Sequence, residues 1–158
     1  MIEENKQGLF TLHSGEASQP YNYAVGTYGS KFLTEIRDHN RIVGIKCPKC
    51  GKVYIPVRQV CGPCFTPMQE LVPVASEGKI VSFTILRFQF LDPETGEKKP
   101  VPYGYGFFKL DGADSNFQHF LEVPEDESRL WIGARVKAVF KEKKEGSLRD
   151  IKHFTLAE

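Results

Sequence analysis

The chain has 158 residues, of which 41% are apolar and 26% are charged, a balance typical of a folded globular protein rather than a disordered one. Its formal net charge of +1 excludes a strong overall field for holding a nucleic acid backbone, so any anion site must be local. The first residues, MIEENKQG, lack the basic and apolar regions of a signal peptide, and no stretch approaches the roughly 18 to 20 apolar residues that span a bilayer. We therefore expect a soluble, cytoplasmic protein that makes no membrane contact.

The N-terminal part, residues 1–44, is expected to consist of an arm and a short helix. The segment QPYNYAVGTYG (19–29) has three tyrosines among Gly, Pro and Asn. This composition is typical of an irregular arm, which either packs on its own domain or docks on a partner through aromatic anchors. The next segment, SKFLTEIRD (30–38), carries apolar residues on one face at helical spacing: Phe32, Leu33 and Ile36. It predicts a short amphipathic helix with Ser30 as its N-cap.

All four cysteines lie in the stretch IKCPKCGKVYIPVRQVCGPCFTP, in two C-x-x-C pairs with ten residues between them: Cys47, Cys50, Cys61 and Cys64. Each pair lets one tight turn offer two sulfurs to the same ion, and the glycines beside and inside the pairs suit such turns. A unit this short rarely folds without a metal or disulfides, and disulfides are rare in the cytoplasm. We therefore predict a rubredoxin-like ribbon over residues 45–73 with a structural four-sulfur site. Zinc is favoured, although an all-sulfur site also accepts iron.

The tetrapeptide CGPC also occurs in thioredoxin-like redox sites, where a strand leads into it and a helix leads out. Here the residues FTP follow, and Pro67 is a poor way to continue a helix. A second C-x-x-C pair so close by has no role in that chemistry, so we favour metal binding over redox exchange and over unrelated buried thiols. The four histidines are scattered and lie near no catalytic motif: His13, His39, His119 and His153. We predict no catalytic residues in this chain.

After the ribbon, period-two patterns rich in β-branched and aromatic residues replace the helical spacing. Five segments are predicted as strands: Lys79 to Leu91, Tyr103 to Asp111, Phe117 to Val123, Arg135 to Glu142 and Arg149 to Leu156. One short interruption, EDESRLWIG, precedes the fourth strand. This order is typical of a five-stranded Greek-key OB-fold barrel, here over residues 74–158. A β-sandwich is the alternative, but it usually has more strands.

Two loops of the predicted barrel are rich in lysine. The loop after the first strand contains Lys98 and Lys99, and KEKKEG after the fourth contains Lys143 and Lys144. In OB-folds these two loops flank the binding face, so the lysines are candidates for one anion-binding groove. Aromatic residues nearby are candidates for stacking a ring: Phe88, Phe90, Tyr103 and Tyr105. The alternative is that the lysines serve solubility and that the aromatic residues belong to the core.

From about Tyr21 onwards the chain resembles a known family. The matching segments are YNYAVG, SKFLTEIRD, IVGIKCPKCGKVYIPVRQVCGPC, EGKIVSFTI, PVPYGYGFFKLD and WIGARVKAVF, in this order and spacing. They are similar to the zinc-ribbon and OB-fold proteins of the acyl-CoA-associated family, formerly of unknown function. The resemblance implies that the four cysteines are metal ligands and that Pro56 and Arg58 lie in the ribbon knuckle. It also implies that the lysine loops contact the nucleotide of coenzyme A, for which Tyr103 is a candidate stacking residue.

The same resemblance implies an accessory subunit. Such proteins are similar to partners of acetoacetyl-CoA thiolase with hydroxymethylglutaryl-CoA synthase, of the lipid-transfer-like aldolases of steroid degradation, and of benzoylsuccinyl-CoA thiolase. In each case the partner supplies the catalytic Cys and His. We expect a thiolase-like catalytic subunit as partner, in a two-plus-two assembly. This chain is then expected to shape the acyl-CoA channel and to bind coenzyme A, contributing orientation rather than chemistry.

Two other functions stay open at this point. Zinc ribbons and OB-folds also bind single-stranded nucleic acid, although the near-neutral charge argues against that use. A free-standing enzyme would turn over an acyl-CoA without any partner. A thiolase-like chain that elutes together with this protein would favour the accessory function over both.

Overall fold

The structure is a computed structural model that describes residues 2–4, 10–12, 24–89, 91, 96, 98 and 100–157, with the first two segments described by their backbone alone. Those two segments form strands β1 (Ile2–Glu4) and β2 (Phe10–Leu12), which pair antiparallel. Among the described residues, no helix has the length and apolar character that crossing a membrane requires.

Helix α1 (Gly26–His39) buries the predicted apolar face, with Phe32 and Ile36 at 2% and 0% exposure. It ends at Asn40, which adopts the left-handed conformation and donates its N–H to the Glu35 carbonyl. The observed N-cap is Val25, five residues before Ser30, so the prediction of Ser30 as N-cap is wrong. The Ser30 hydroxyl instead donates to the Gly26 carbonyl oxygen at 2.8 Å, inside the helix.

The early start has a tertiary cause. Tyr28 packs against the small core of the ribbon, so the first turn is held by a contact that the helix periodicity does not contain. The last residues of the predicted irregular arm are therefore helical, from Gly26 to Gly29. The other two tyrosines of that arm, Tyr21 and Tyr23, lie outside the described residues.

The ribbon is a three-stranded antiparallel sheet in the order β4-β3-β5, made of β3 (Ile42–Lys46), β4 (Val53–Tyr54) and β5 (Glu70–Val74). Ile45 pairs with Tyr54 on one side and with Leu71 on the other. Ile45, Tyr54 and Met68 are buried together with two of the cysteines and form a small core of their own. This core is too small to hold a fold by apolar burial alone, which agrees with the metal-dependent ribbon predicted from the cysteine spacing.

The predicted OB-fold barrel is confirmed. Its strands are β6 (Glu77–Leu86), β7 (Tyr103–Leu110), β8 (Phe117–Leu121), β9 (Arg135–Phe140) and β10 (Ile151–Leu156). They close in the order β10-β8-β7-β6-β9, with β8 and β10 parallel and the other neighbours antiparallel. Closure through the parallel pair distinguishes the barrel from the β-sandwich alternative.

Short 3₁₀ turns interrupt the barrel between its later strands. One, Glu127–Arg129, lies in the predicted interruption before β9, and the other, Leu148–Asp150, leads into β10. The barrel interior is filled by inward-facing residues of successive strands, among them Ile80, Phe108, Phe117 and Phe154. Phe108 and Phe154 stack with ring centroids 4.3 Å apart.

Helix, ribbon and barrel share one core. Phe32 and Ile36 of α1, Ile42 and Val43 of β3 and the inward residues of the barrel belong to the same buried cluster. The loop between β7 and β8 also pairs with β4: the Val53 N–H donates to Asp114 at 2.8 Å, and the Ile55 N–H donates to the Ser115 hydroxyl at 2.7 Å. The predicted domain bounds at residues 44 and 73 fall within β3 and β5, and the division of the chain stays a prediction.

Candidate functional site

The four cysteines converge on one point at the end of the ribbon. Their Sγ atoms all lie within 4.8 Å of one another, and the Sγ atoms of Cys50 and Cys61 are 3.8 Å apart. Four sulfurs about 2.3 Å from a central zinc, at the corners of a tetrahedron, are separated by about 3.8 Å. The residues therefore fit a tetrahedral zinc ion with four thiolate ligands.

Two equivalent turns present these sulfurs. In the first turn the Cys47 N–H donates to the Lys52 carbonyl at 2.8 Å, and the Gly51 N–H donates to the Cys47 carbonyl at 2.9 Å. In the second turn the corresponding bonds run from Cys61 to Thr66 at 3.0 Å and from Phe65 to Cys61 at 2.8 Å. These backbone hydrogen bonds hold the two cysteines of each pair in one tight turn.

The Tyr54 side chain beside the cysteine cluster favours the thiolate form of Cys61, which is the form that binds a metal. The Tyr54 hydroxyl lies 3.3 Å from the Cys61 Sγ, and this hydrogen bond lowers the pKa of Cys61 to about 6. The same bond raises the pKa of Tyr54 to about 12, so the phenol remains a donor. Hydrogen bonding with Cys50 raises the pKa of Cys64 to about 12, so an incoming cation must displace a proton there. Arg58, predicted to lie in the knuckle, covers the Tyr54 ring, with its guanidinium carbon 4.5 Å from the ring centroid.

With four protein ligands, a bound zinc ion has no open coordination position for water or substrate. The site can hold the ribbon in shape, and it offers no Lewis acid to a reaction. Because the chain has only four cysteines, this site uses all of them.

A second candidate surface lies on the outside of the barrel, on strands β7 and β8. Tyr103 and Tyr105 both point outward and contact Phe120 edge-on, with ring centroids 6.1 and 5.2 Å from it. A cleft of about 410 Å³ opens beside these rings. Its polar and aromatic wall residues are Tyr103, Phe120, Glu122, Lys152 and His153. Aromatic walls with a cation at the rim suit a ring that carries phosphate.

The two lysine loops leave from opposite ends of this aromatic face. The first loop enters β7 at Tyr103, next to the end of β8, because Gly104 pairs with Leu121. The second enters β10 at Ile151, and β10 runs parallel to β8 with Phe154 level with Leu121. Lys143 and Lys144, which this loop carries, therefore lie near the other end of β8. The loops flank the face without meeting in a single cluster.

The predicted lysine and aromatic contact residues differ in their exposure to solvent. Lys98 and Lys143 are exposed, Lys144 is half-buried, and Lys99 lies outside the described residues. The positive charge of Lys144 helps to lower the pKa of Asp38 on α1, after the larger effects of Arg37 and His39. Of the other predicted stacking residues, Phe88 is 61% exposed and Phe90 lies outside the described residues.

The second lysine loop has a fixed backbone. The buried Asp150 carboxylate accepts the N–H groups of Glu145, Gly146 and Ser147, at 2.9, 2.7 and 3.1 Å respectively. The same residue completes a capping box with Ser147. These hydrogen bonds fix the backbone conformation of the loop that carries Lys143 and Lys144.

Sequence reasoning missed Lys152 and His153 as wall residues of the cleft. Both lie on β10, which we treated only as a barrel strand, and a bulge between Ile151 and His153 shifts the register there. Strand alternation alone therefore does not predict that two neighbouring side chains line the same cleft.

Comparison with known proteins agrees with this architecture. A family profile described as the ChsH2 rubredoxin-like zinc ribbon domain matches residues 34–67, and one described as the ChsH2 C-terminal OB-fold domain matches residues 71–141. A DUF35 domain-containing scaffold protein from Methanocaldococcus jannaschii is 30% identical over 112 residues, which cover 70% of this chain and 74% of that protein. The benzoylsuccinyl-CoA thiolase subunit BbsA from Thauera aromatica is 31% identical over 98 residues, which cover 57% of this chain and 62% of that subunit.

Two solved structures share the fold. A DUF35 protein of unknown function from Sulfolobus solfataricus superposes with a TM-score of 0.59 at 22% identity, covering 84% of this chain and 87% of that one. The Ltp2-ChsH2(DUF35) aldolase superposes with a TM-score of 0.59 at 17% identity, covering 85% of this chain and 98% of the matched chain. At these identities the two structures support the ribbon and barrel architecture alone.

Proposed function

The chain belongs to the DUF35 family of zinc-ribbon and OB-fold proteins, and from this premise we propose that it is a non-catalytic accessory subunit of a complex with a thiolase-like enzyme. Its relatives support this role, since one is named a scaffold protein and another a subunit of benzoylsuccinyl-CoA thiolase. The catalytic partner acts on an acyl-CoA. A two-plus-two assembly is the proposed stoichiometry.

One observation carries the proposal: all four cysteines of the chain gather in one closed structural site. Covalent catalysis of the thiolase type needs a cysteine thiolate that can attack the acyl group, with a base to activate it. A thiolate bound to zinc in a four-ligand site is committed to the metal. The nucleophile therefore comes from the partner, and this chain supplies shape and orientation.

The barrel face is the proposed coenzyme A contact. The adenine ring lies against Tyr103 and Phe120 in the cleft between β7, β8 and β10, where flat aromatic faces match its π surface. Lys98 and Lys152, at the cleft end of the face, bind the phosphate on the ribose through charge-assisted hydrogen bonds, and Lys143 and Lys144, at the other end of β8, bind the diphosphate of the extended coenzyme. This arrangement holds the nucleotide end while the acyl end reaches the partner's active site.

The accessory role is tested by purifying the chain alone, the thiolase-like catalytic subunit of the same organism alone, and the two after co-expression. We expect acyl-CoA turnover only where the catalytic subunit is present, and we expect the two chains to elute together with a mass of two copies of each. Turnover by this chain alone would refute the role. Separate elution of the two chains would refute the assembly.

The coenzyme contact is tested in the complex. Tyr103→Ala, and separately Lys143→Glu with Lys144→Glu, should each weaken coenzyme A binding by about tenfold, as expected for the loss of one stacking contact or of phosphate contacts. Lys137→Glu on β9 is the matched control, because this exposed lysine pairs with β6 away from the cleft. An unaltered dissociation constant would remove the changed residues from the site.

The outward rings on β7 and β8 also favour a second candidate, a single-stranded nucleic acid binder, because OB-folds use this face for bases. Such binding weakens steeply as salt is added. Tight, salt-dependent binding of an oligonucleotide by the free chain, reduced in Tyr103→Ala, would support this function over coenzyme A.

A further inference from the structure

The two cysteine turns of the ribbon differ at one equivalent position. Each turn ends in a residue with a left-handed backbone, Gly51 at φ 73° in the first turn and Phe65 at φ 50° in the second. Both residues donate their N–H to the first cysteine of their own turn. Glycine adopts this conformation freely, whereas a bulky aromatic side chain adopts it only when the surroundings enforce it.

Burial within the described part of the ribbon does not explain why an aromatic residue, Phe65, occupies this position. The Phe65 side chain is 84% exposed, more than any other large hydrophobic residue among those described, so most of its surface remains in water. A strained backbone that holds an exposed ring adds little to the stability of the folded chain. Strain of this kind is typical of residues kept for a function rather than for stability.

The surroundings of Phe65 extend the apolar surface. Val60 is 46% exposed and pairs with Pro67 across the turn, and Pro63 and Pro67 are also exposed. We call these four residues the ribbon tip: Val60, Pro63, Phe65 and Pro67. Backbone hydrogen bonds from Cys61 to Thr66 and from Phe65 to Cys61 hold the turn that carries the tip, so the ring can be buried by a partner with little further loss of freedom.

The charges of the ribbon are mostly positive. Between residues 45 and 73 it contains one carboxylate, Glu70, which lies opposite Lys46, and four cations: Lys46, Lys49, Lys52 and Arg58. A zinc ion with four thiolates carries two negative charges, so the ribbon keeps a small positive excess. A complementary surface therefore has an apolar pocket with carboxylates at its rim.

We propose that the ribbon tip is a docking surface for the thiolase-like catalytic subunit, with Phe65 as the anchor that enters an apolar pocket rimmed by carboxylates. This inference rests on the proposed accessory function and names the surface that performs it. A single-stranded nucleic acid is the less fitting occupant, because bases stack on successive rings and the neighbours of Phe65 in the tip are Val and Pro. A central aromatic with apolar neighbours and a charged rim is typical of a protein interface hot spot.

The test compares Phe65→Gly and Phe65→Asn with the wild-type chain. Both residues accept the left-handed backbone, so zinc content should be unchanged and the melting temperature unchanged or higher. Binding of the purified thiolase-like subunit should weaken by about tenfold or more in both variants. Trp131→Ala, which removes another exposed ring from the segment between β8 and β9, is the matched control and should bind as tightly as wild type.

The outcomes separate this inference from the function it rests on. If the wild-type chain does not bind the thiolase-like subunit, the accessory function itself fails. If the wild type binds and both Phe65 variants bind equally well, or if Trp131→Ala weakens binding as much as they do, only the assignment of the ribbon tip is overturned. If the Phe65 variants lose affinity for a single-stranded oligonucleotide and keep the partner, the tip is a nucleic acid site and the inference is wrong.

Discussion

At the scale of single residues, the metal site depends on which cysteines favour the thiolate form that binds the metal. The hydrogen bond from Tyr54 favours the Cys61 thiolate, and zinc binds the thiolate rather than the thiol. Cys61 is also fully buried, at 0% exposure. The contribution of a structural zinc site to folding is large, with apparent binding energies of about 10 to 16 kcal/mol.

Cys61→Ser should therefore lose the metal and unfold the ribbon. A serine hydroxyl is a poor zinc ligand, and three sulfurs do not close the tetrahedron. Metal analysis of the purified variant should show zinc falling from about one ion per chain to a small fraction of that. Ser82→Ala, on the exposed side of β6, is a control that should keep its zinc. Full zinc content in Cys61→Ser would refute the site.

A second residue affects stability through its charge state. Burial lowers the pKa of His153 below its ordinary value near 6.5, although Glu122, 3.8 Å away, opposes the shift. The folded protein therefore takes up this proton less readily than the unfolded chain does. As pH falls through 6.5, protonation favours the unfolded chain, and the loss of stability levels off below the folded-state pKa.

His153→Gln should flatten this part of the stability profile. The glutamine cannot take up the proton, so the urea midpoint should change less between about pH 7.5 and about pH 5 than it does in the wild type. The measurement is the denaturation midpoint at several pH values within this window. An equally steep loss in the variant would show that His153 is not responsible.

At the scale of elements, the barrel depends on a close approach between β6 and β7. Gly78 on β6 faces Leu110 of β7, and a Cβ built at Gly78 would overlap the Lys109 carbonyl and lie 2.7 Å from the Leu110 Cα. Both obstacles are backbone atoms, which cannot rotate aside. The absence of a side chain at this glycine is therefore required for the close spacing of the two strands.

Gly78→Ala should destabilise the protein by about 1 to 3 kcal/mol, because the methyl group forces two paired strands apart. Gly62→Ala is the matched control, since a Cβ there has no heavy atom within 4 Å and the backbone angle is ordinary. Denaturation midpoints of the two variants give the comparison. Equal stability of Gly78→Ala and wild type would contradict the close approach seen between the strands.

Helix α1 and strand β7 show which features sequence periodicity predicts and which it does not. The apolar spacing of α1 correctly predicts its buried face, yet it misplaces the helix start, because Tyr28 is held by the ribbon core. The alternation in β7 predicts that Tyr103 and Tyr105 share one face. It does not predict that Phe120 of β8 completes the aromatic cluster, since that needs the strand register.

At the scale of the whole molecule, the ribbon and the barrel are mechanically coupled. The Ser115 hydroxyl accepts the Ile55 N–H at 2.7 Å and donates to the Ile55 carbonyl at 2.8 Å, and the Val53 carbonyl accepts the Asp114 N–H at 2.7 Å. Together with the shared core, these bonds make the metal site part of the stability of the barrel.

Removal of the metal should therefore destabilise more than the ribbon. A strong chelator should lower the melting temperature and reduce hydrogen-exchange protection in both β3 and β7, because unfolding β4 frees the loop that pairs with it. The same chelator should have no further effect on Cys61→Ser. A barrel that keeps full protection after the metal is removed would show that the two parts fold independently.

The amino-acid sequence by itself determined the elements that follow local rules. The spacing of Cys47, Cys50, Cys61 and Cys64 specified a metal-binding ribbon, because two tight turns can present four sulfurs to one ion. Alternation and turn residues specified five strands in barrel order. The family resemblance added the accessory role, which the residues alone leave among several functions.

Only the tertiary structure decided which distant residues share a surface. Barrel closure places Lys152 and His153 beside Tyr103, and it sends the two lysine loops to opposite ends of the aromatic face. The exposed, left-handed Phe65 also becomes apparent only when the backbones of the two cysteine turns are compared. Spacing along the chain specifies turns and alternation, whereas register, closure and solvent exposure depend on contacts between segments far apart in sequence.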